Sequence, residues 1–318
     1  MASWQAVALT IVGTVVGAGF ASGQEVWQFF TRGGEVGAIG IVLAMGLFAG
    51  VSALALEAGG RGLTLDGYLQ RVWGRWAAGW DVVAAAFLTV GLGVVGAASG
   101  ELLHATFRLS AYLGAVLALA VLVLCGSQGS ALLLRLNSWL VPPIIGVLLL
   151  LAWVVPAAPA PPPSLVWPWW VMAILYASYN LFSLIPVLLP LGRTLPPGRS
   201  SWLAAGAGSA ILAFMAWCEH RILGAAPPGA ALPLYEIALA AHPLLGGAWS
   251  LVLWLALFTT GVATVFALKS RWGARAWLWW GVAFALPLWP FAGLVANLYP
   301  VIGAISIFLW MPLLLGRR

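Results

Sequence analysis

A chain with almost no charge cannot give itself a water-compatible surface, and that limits what this sequence can become. Only 7% of its 318 residues are charged, whereas 63% are hydrophobic. A soluble domain carries about 25% charged residues. Most of the surface must therefore face lipid, and a helix that crosses a bilayer needs about 20 apolar residues. Ten stretches qualify: 5–31, 36–58, 78–105, 110–128, 131–155, 167–192, 200–224, 244–268, 274–290 and 293–315. The chain reads as an all-α integral membrane protein.

The basic residues test that count and orient it. The net charge is +6, and in a membrane protein the positive residues of short loops set topology. With ten spans and the N-terminus inside, the cytoplasmic segments hold Arg61, Arg71, Arg75, Arg135, Arg193, Arg199, Lys269, Arg271, Arg275, Arg317 and Arg318. Only Arg32, Arg108 and Arg221 fall outside. Splitting or merging one span would destroy this bias. The sequence therefore predicts a multi-pass protein of the cell inner (plasma) membrane with both termini cytoplasmic. The apolar start lacks a basic n-region and reads as the first span, not as a signal peptide.

Two spans are interrupted. The first reads Ile11-Val-Gly-Thr-Val-Val-Gly-Ala-Gly-Phe-Ala-Ser-Gly-Gln24-Glu25. Each glycine costs about 1 kcal/mol in a helix interior. Gly13-x-x-x-Gly17 alone would suit a close helix contact. The added Gly19 and Gly23, with Ser22, Gln24 and Glu25, predict an unwound segment near 17–22. The sixth span carries Ser178, Asn180, Ser183 and Pro186 in an apolar run, and an interruption near 177–183 is expected there. Interrupted helices at matching places in two halves point to an inverted-repeat transporter with a midplane site. The halves are 1–155 and 167–318, joined by the external proline-rich segment 156–166. Freed N–H groups attract a carboxylate, and freed carbonyls attract an ammonium group or Na⁺. That combination suits a small amino acid or a related amine-bearing solute. Its expected contacts are Ala18, Gly19, Phe20, Ser22, Gly23, Glu25, Ser178, Tyr179 and Asn180.

The segment Val12-Gly-Thr-Val-Val-Gly-Ala-Gly-Phe-Ala-Ser-Gly-Gln-Glu25 resembles the first helix of the YkvI-like membrane proteins. That family is similar to the amino acid–polyamine–organocation superfamily. The resemblance implies a LeuT-type fold: ten transmembrane helices in a 5+5 inverted repeat, with helices 1 and 6 unwound at mid-membrane. It also implies a Na⁺ site between spans one and eight. Its ligands would be the carbonyls of Gly13, Val16 and Ala256 and the hydroxyls of Thr259 and Thr260, five oxygens that suit a hard cation. The implied function is Na⁺-coupled symport by alternating access.

Other residues read more plainly. Glu25, about 9 Å past the break toward the outside, is a candidate to gate the vestibule or carry a proton. Proton coupling through Glu25 is the alternative to sodium, and a non-transporting sensor or channel is the other rival. Glu219, His220 and Arg221 read as a polar cluster at the outer interface, and Glu57 and Asp81 lie near cytoplasmic ends. Pro142 and Pro143, after Asn137 and Ser138, are expected to bend span five. Asn297, Tyr299 and Pro300 are expected either to line the pathway or to form a packed kink in span ten. A short interfacial helix is expected near 232–243. Gly91-Leu-Gly-Val-Val-Gly96 fits a dinucleotide pattern but lies within a membrane span, where it reads as a packing face. Cys125 and Cys218 form no CxxC pair, and no HExxH or GxSxG occurs. The sequence therefore predicts a non-enzyme with no organic cofactor, and the resemblance implies Na⁺ as its coupling ion. Its partners are a small solute and the bilayer, with no nucleic acid and no obligate protein partner.

Overall fold

A computed structural model describes residues 3–127, 131–196 and 198–316, with the backbone alone over 131–141. The side chains of Arg135, Asn137 and Ser138, and residues Arg317 and Arg318, lie outside the described residues. The regular structure described is helical throughout. In chain order the helices are α1 (Trp4–Val15), α2 (Ala18–Ser22), α3 (Gln24–Phe29), α4 (Gly37–Gly60), α5 (Leu65–Trp73), α6 (Gly79–Phe107) and α7 (Ala111–Gly126). They continue as α8 (Ala131–Val154), α9 (Trp169–Gly192), α10 (Arg199–Leu223), α11 (Pro233–Ala241), α12 (Pro243–Trp272), α13 (Ala276–Ala285) and α14 (Phe291–Leu314). Helical segments stand at each of the ten expected positions. Among the described residues, six segments are long and apolar enough to cross a membrane; the one beginning at Pro243 runs through α13 to Leu288. The protein is a multi-pass membrane protein.

The core is built by α4 and α9, which lie together along their length, with α14 against α9 and α10 against both α4 and α1. Glycines set that spacing. A Cβ added to Gly59 would lie 2.7 Å from the carbonyl carbon of Leu189, and one added to Gly192 would lie 2.8 Å from the amide nitrogen of Gly60. The two helices touch backbone to backbone, as small-residue faces permit in lipid. Two of the three glycines of the Gly91–Gly96 segment pack as expected, and Gly91 faces open space. Gly93 faces Leu286 of the turn after α13, and Gly96 faces Leu119 of α7.

Helix α5 was missed from the sequence. It occupies the loop between the second and third spans, capped by the Thr64 hydroxyl, which accepts from the Gly67 N–H at 3.0 Å. Tyr68 and Leu69 form its buried face. The Tyr68 hydroxyl donates to the Leu309 carbonyl of α14. Asp66 and Asp81 both meet Arg271 at the end of α12, with Asp66 at 3.5 Å. The short helix expected near 232–243 is α11, packed on α12. Pro142 and Pro143 lie within α8, which runs on as a single helix through both. In the tenth span Pro300 lies within an unbroken α14, and Asn297 Nδ2 donates to the Gly293 carbonyl of the same helix at 2.8 Å.

The proline-rich segment is tied down across the ends of neighbouring helices. Arg32 donates to the Ser164 carbonyl at 2.7 Å and to Gln28 Oε1 at 2.8 Å. The Ser164 N–H returns a bond to the Arg32 carbonyl at 2.7 Å, and the Ala158 N–H donates to the Arg221 carbonyl at 2.9 Å.

Candidate functional site

The first span breaks twice. Helix α1 ends at Val15. Val16 leaves the helical region with ψ 82, and Gly17 is extended at φ −112, ψ −160. The Gly17 N–H donates to the Val15 carbonyl at 2.8 Å. In a continuous helix it would have gone to Gly13, so the Gly13 carbonyl loses its ordinary donor. The chain then recovers a short helix, in which the Ala21 N–H donates to the Gly17 carbonyl at 2.9 Å. Gly23, at φ 83, ends that turn and starts α3. Glycine is the residue that adopts this left-handed geometry at no steric cost. The expected unwound stretch of 17–22 is therefore corrected: the opening is Val16–Gly17, residues 18–22 are helical, and a second joint follows at Gly23.

The sixth span does not break. Helix α9 runs unbroken from Trp169 to Gly192 with Pro186 and Pro190 inside it, so the expected unwinding of helix 6 is corrected as well. Its polar residues are spent on their own helix. Ser178 Oγ donates to the Ile174 carbonyl at 2.6 Å, Asn180 Nδ2 to the Tyr176 carbonyl at 3.1 Å, and Ser183 Oγ to the Asn180 carbonyl at 2.8 Å. Such back-bonding satisfies a polar side chain without opening the helix.

Opposite the break stands α12. A Cβ on Gly17 would lie 3.3 Å from the Thr260 hydroxyl oxygen, so Thr260 faces the gap between α1 and α2. Thr259 donates within its own helix, to the Leu255 carbonyl at 3.0 Å and the Ala256 carbonyl at 3.2 Å. Of the five expected ligands, Gly13, Val16 and Thr260 are therefore associated with the gap. Thr259 and the Ala256 carbonyl are tied to each other.

The remaining expected contacts are Ala18, Gly19, Phe20, Ser22, Gly23, Glu25, Ser178, Tyr179 and Asn180. All are buried, Glu25 with 4% of its surface exposed. Ser22 Oγ donates to the Gly19 carbonyl at 2.8 Å. Gln24 Nε2 reaches out to the Ala230 carbonyl at 2.6 Å and ties α3 to the turn before α11. Glu25 does not point outward. Its side chain folds back over Gly19, where a Cβ would lie 2.6 Å from its Cδ and 2.7 Å from its Cγ. Only a residue without a side chain leaves the carboxyl that notch. Tyr179 sits beside this carboxyl, yet the geometry closes no hydrogen bond, and the Tyr179 hydroxyl and Glu25 Oε2 are both left without a partner.

Around Glu25 the rings of Phe29, Tyr176, Tyr179 and Tyr299 interlock. Phe29–Tyr179 centroids are 5.6 Å apart, Tyr176–Tyr179 5.5 Å and Tyr179–Tyr299 4.8 Å. Sequence reasoning did not place Phe29, Tyr176 or Tyr299 at the site, and it misplaced one acid of this neighbourhood. Glu219, expected at the interface, is 1% exposed. The available signal was helical spacing. Leu212, Met215, Glu219 and Ile222 recur at intervals of three and four residues, and all four are buried, so Glu219 occupies the core stripe of α10.

No family model matches the chain. Two proteins of Bacillus subtilis (strain 168) are similar to it over most of their length. The uncharacterised protein YyaD is 26% identical, covering 96% of this chain and 95% of that protein. The uncharacterised membrane protein YkvI is 23% identical, covering 83% and 80%. Among solved structures, Mhp1 in its inward-facing conformation aligns over 100% of this chain and 72% of its own, with TM-score 0.62 and 13% identity. A manganese transporter of Eremococcus coleocola, solved as a point mutant, aligns over 98% and 78%, with TM-score 0.60 and 17% identity. The chain is thus similar to YkvI over most of its length, as the first-span motif led one to expect. The chain shares its fold with Mhp1 and the manganese transporter.

Proposed function

We propose that the protein is a secondary active transporter that carries a small amine-bearing solute, such as an amino acid, by alternating access coupled to Na⁺. The observation that carries this reading is the helix break at Val16–Gly17 facing the Thr260 hydroxyl. Irregular backbone is tolerated in a membrane only where it lines a cavity or is buried in protein, and freed carbonyls beside a hydroxyl make an oxygen set for a hard cation. The fold shared with Mhp1 and a manganese transporter supports the same reading. In this proposal the ten spans form two inverted halves, 1–155 and 167–318, and both termini are cytoplasmic. Gly13, Val16 and Thr260 hold Na⁺. Ala256 and Thr259 join them once Thr259 releases its helix bond. The solute lies beside α2, against Ala18, Gly19, Phe20, Ser22 and Gly23, with Ser178, Tyr179 and Asn180 of α9 as its other wall.

Sodium binding is read from unfolding of the purified protein in Na⁺ against K⁺ at equal ionic strength. A ligand at a hundred times its Kd stabilises by about 2.7 kcal/mol, so Na⁺ is expected to raise Tm by several degrees, and Thr260→Ala is expected to abolish that rise. Identical unfolding in the two salts sinks the sodium assignment. Transport itself is tested in proteoliposomes, where uptake of labelled amino acids should collapse when an ionophore dissipates the Na⁺ gradient.

A further inference from the structure

Two acids occupy the place where a membrane protein tolerates acids least. Glu25 on α3 and Glu219 on α10 are both buried, and α3 packs against α10. Glu25 Oε2 and both carboxyl oxygens of Glu219 lack hydrogen-bond partners, as do the buried hydroxyls of Tyr176 and Tyr179. The α3–α10 contact brings the two acids into one neighbourhood, where the Tyr176 ring meets Phe29 of α3 and Tyr179 edge to face.

No neighbouring group cancels the charge of two carboxylates. On α9 the facing groups are Tyr176 and Tyr179, and on α14 the facing group is Tyr299. On α10 Cys218, His220 and Arg221 flank Glu219. His220 Nδ1 is engaged by the Thr31 hydroxyl at 3.1 Å, and the Arg221 guanidinium lies over the Trp217 ring at 5.4 Å. Arg32 is bound to Gln28 and Ser164. Among the described residues neither acid makes an ion pair. An unpaired buried carboxylate carries a large desolvation penalty, and two like charges in one low-dielectric site cannot both persist.

Something positive must therefore sit with the pair. Among the described residues no third His, Cys, Asp or Glu joins it to make a metal-binding group. The walls are interlocked aromatic rings, and an outer cavity of about 170 Å³ is lined by Gln28, Arg32 and Asn297, not by the acids. A proton needs neither a ligand shell nor a cavity. We propose that Glu25 and Glu219 together form a proton-binding site: the pair holds one H⁺, one carboxyl being protonated while the other keeps the single negative charge. The bound proton allows α3 and α10 to stay packed. Its release leaves two like charges across that contact and drives the outer part of the first span away from the seventh.

The test is infrared spectroscopy of the purified full-length protein in lipid as a function of pH. The expected result is a protonated-carboxyl band at neutral pH that disappears reversibly on alkalinisation and is lost in both Glu25→Gln and Glu219→Gln. Arg221→Gln should leave it in place. A wild type with no such band at neutral pH overturns the proposal, because both acids would then be charged and held by another cation. A band that survives in Glu219→Gln also overturns it, because the proton would belong to a single acid. The wild-type titration decides the first point even if a variant fails to fold. The proton site does not rest on the Na⁺ reading, which Thr260→Ala tests separately.

Discussion

Gly59→Ala should destabilise the protein more than any other single-methyl addition in α4. The added Cβ would collide with the backbone of Leu189, 2.7 Å from its carbonyl carbon and 2.9 Å from its Cα. Backbone cannot rotate away as a side chain can, so α4 and α9 must separate. Overpacking a well-packed contact costs about 1–3 kcal/mol and sometimes more. Gly192→Ala should behave alike, because its Cβ would lie 2.9 Å from the carbonyl carbon of Leu56. The double variant should lose less than the sum of the two, because one separation of the helices relieves both clashes. Gly46→Ala is the control, as nothing lies within 4 Å of that Cβ. Unfolding midpoints in mild detergent read all four variants. A Gly59→Ala midpoint equal to that of Gly46→Ala would mean that the α4–α9 contact is looser than described.

The second large effect is expected at Gly19 and should appear mainly in binding. Gly19→Ala drives a methyl group into the Glu25 carboxyl. The obstacle is the far end of a side chain, so the backbone holds and the carboxyl is expelled from its notch. Stability should fall by about 1–3 kcal/mol. The pH-dependent infrared band should be lost, as in Glu25→Gln. Adding Glu25→Ala to Gly19→Ala should recover stability, since the clash disappears with the side chain, giving a coupling energy of about 0.5–3 kcal/mol by double-mutant cycle. Additive effects would show that the two residues do not touch.

Much of this architecture was legible because bilayer physics simplifies the code. Long apolar runs mark helices, and glycine clusters mark joints or close contacts. The cluster from Gly13 to Gly23 foretold a joint in the first span. It could not distinguish one long opening from two short ones, since that depends on whether Gly17 or Gly23 takes the irregular dihedral. The sixth span misled for a definable reason. Ser178, Asn180 and Ser183 advertise polarity, and their partners turn out to be carbonyls of their own helix. Composition cannot show that. Glu219 misled in the opposite direction. Beside His220 and Arg221 it looks interfacial, but the proline-rich segment lies over that end of α10, with Ala158 bonded to Arg221 and Gly224 close against the Pro159 backbone. A long-range cover of this kind leaves no local mark.

The difference between the first and sixth spans also bears on how the molecule moves. One is a chain of three rods with swivels at Val16–Gly17 and Gly23. The other is a single strut held against α4 by contacts too tight to slide. A displacement at one end of the continuous helix is carried toward the other by its unbroken backbone. Torque applied to the jointed member is absorbed at its swivels. The two members are therefore built unequally: one is continuous, and the other is jointed.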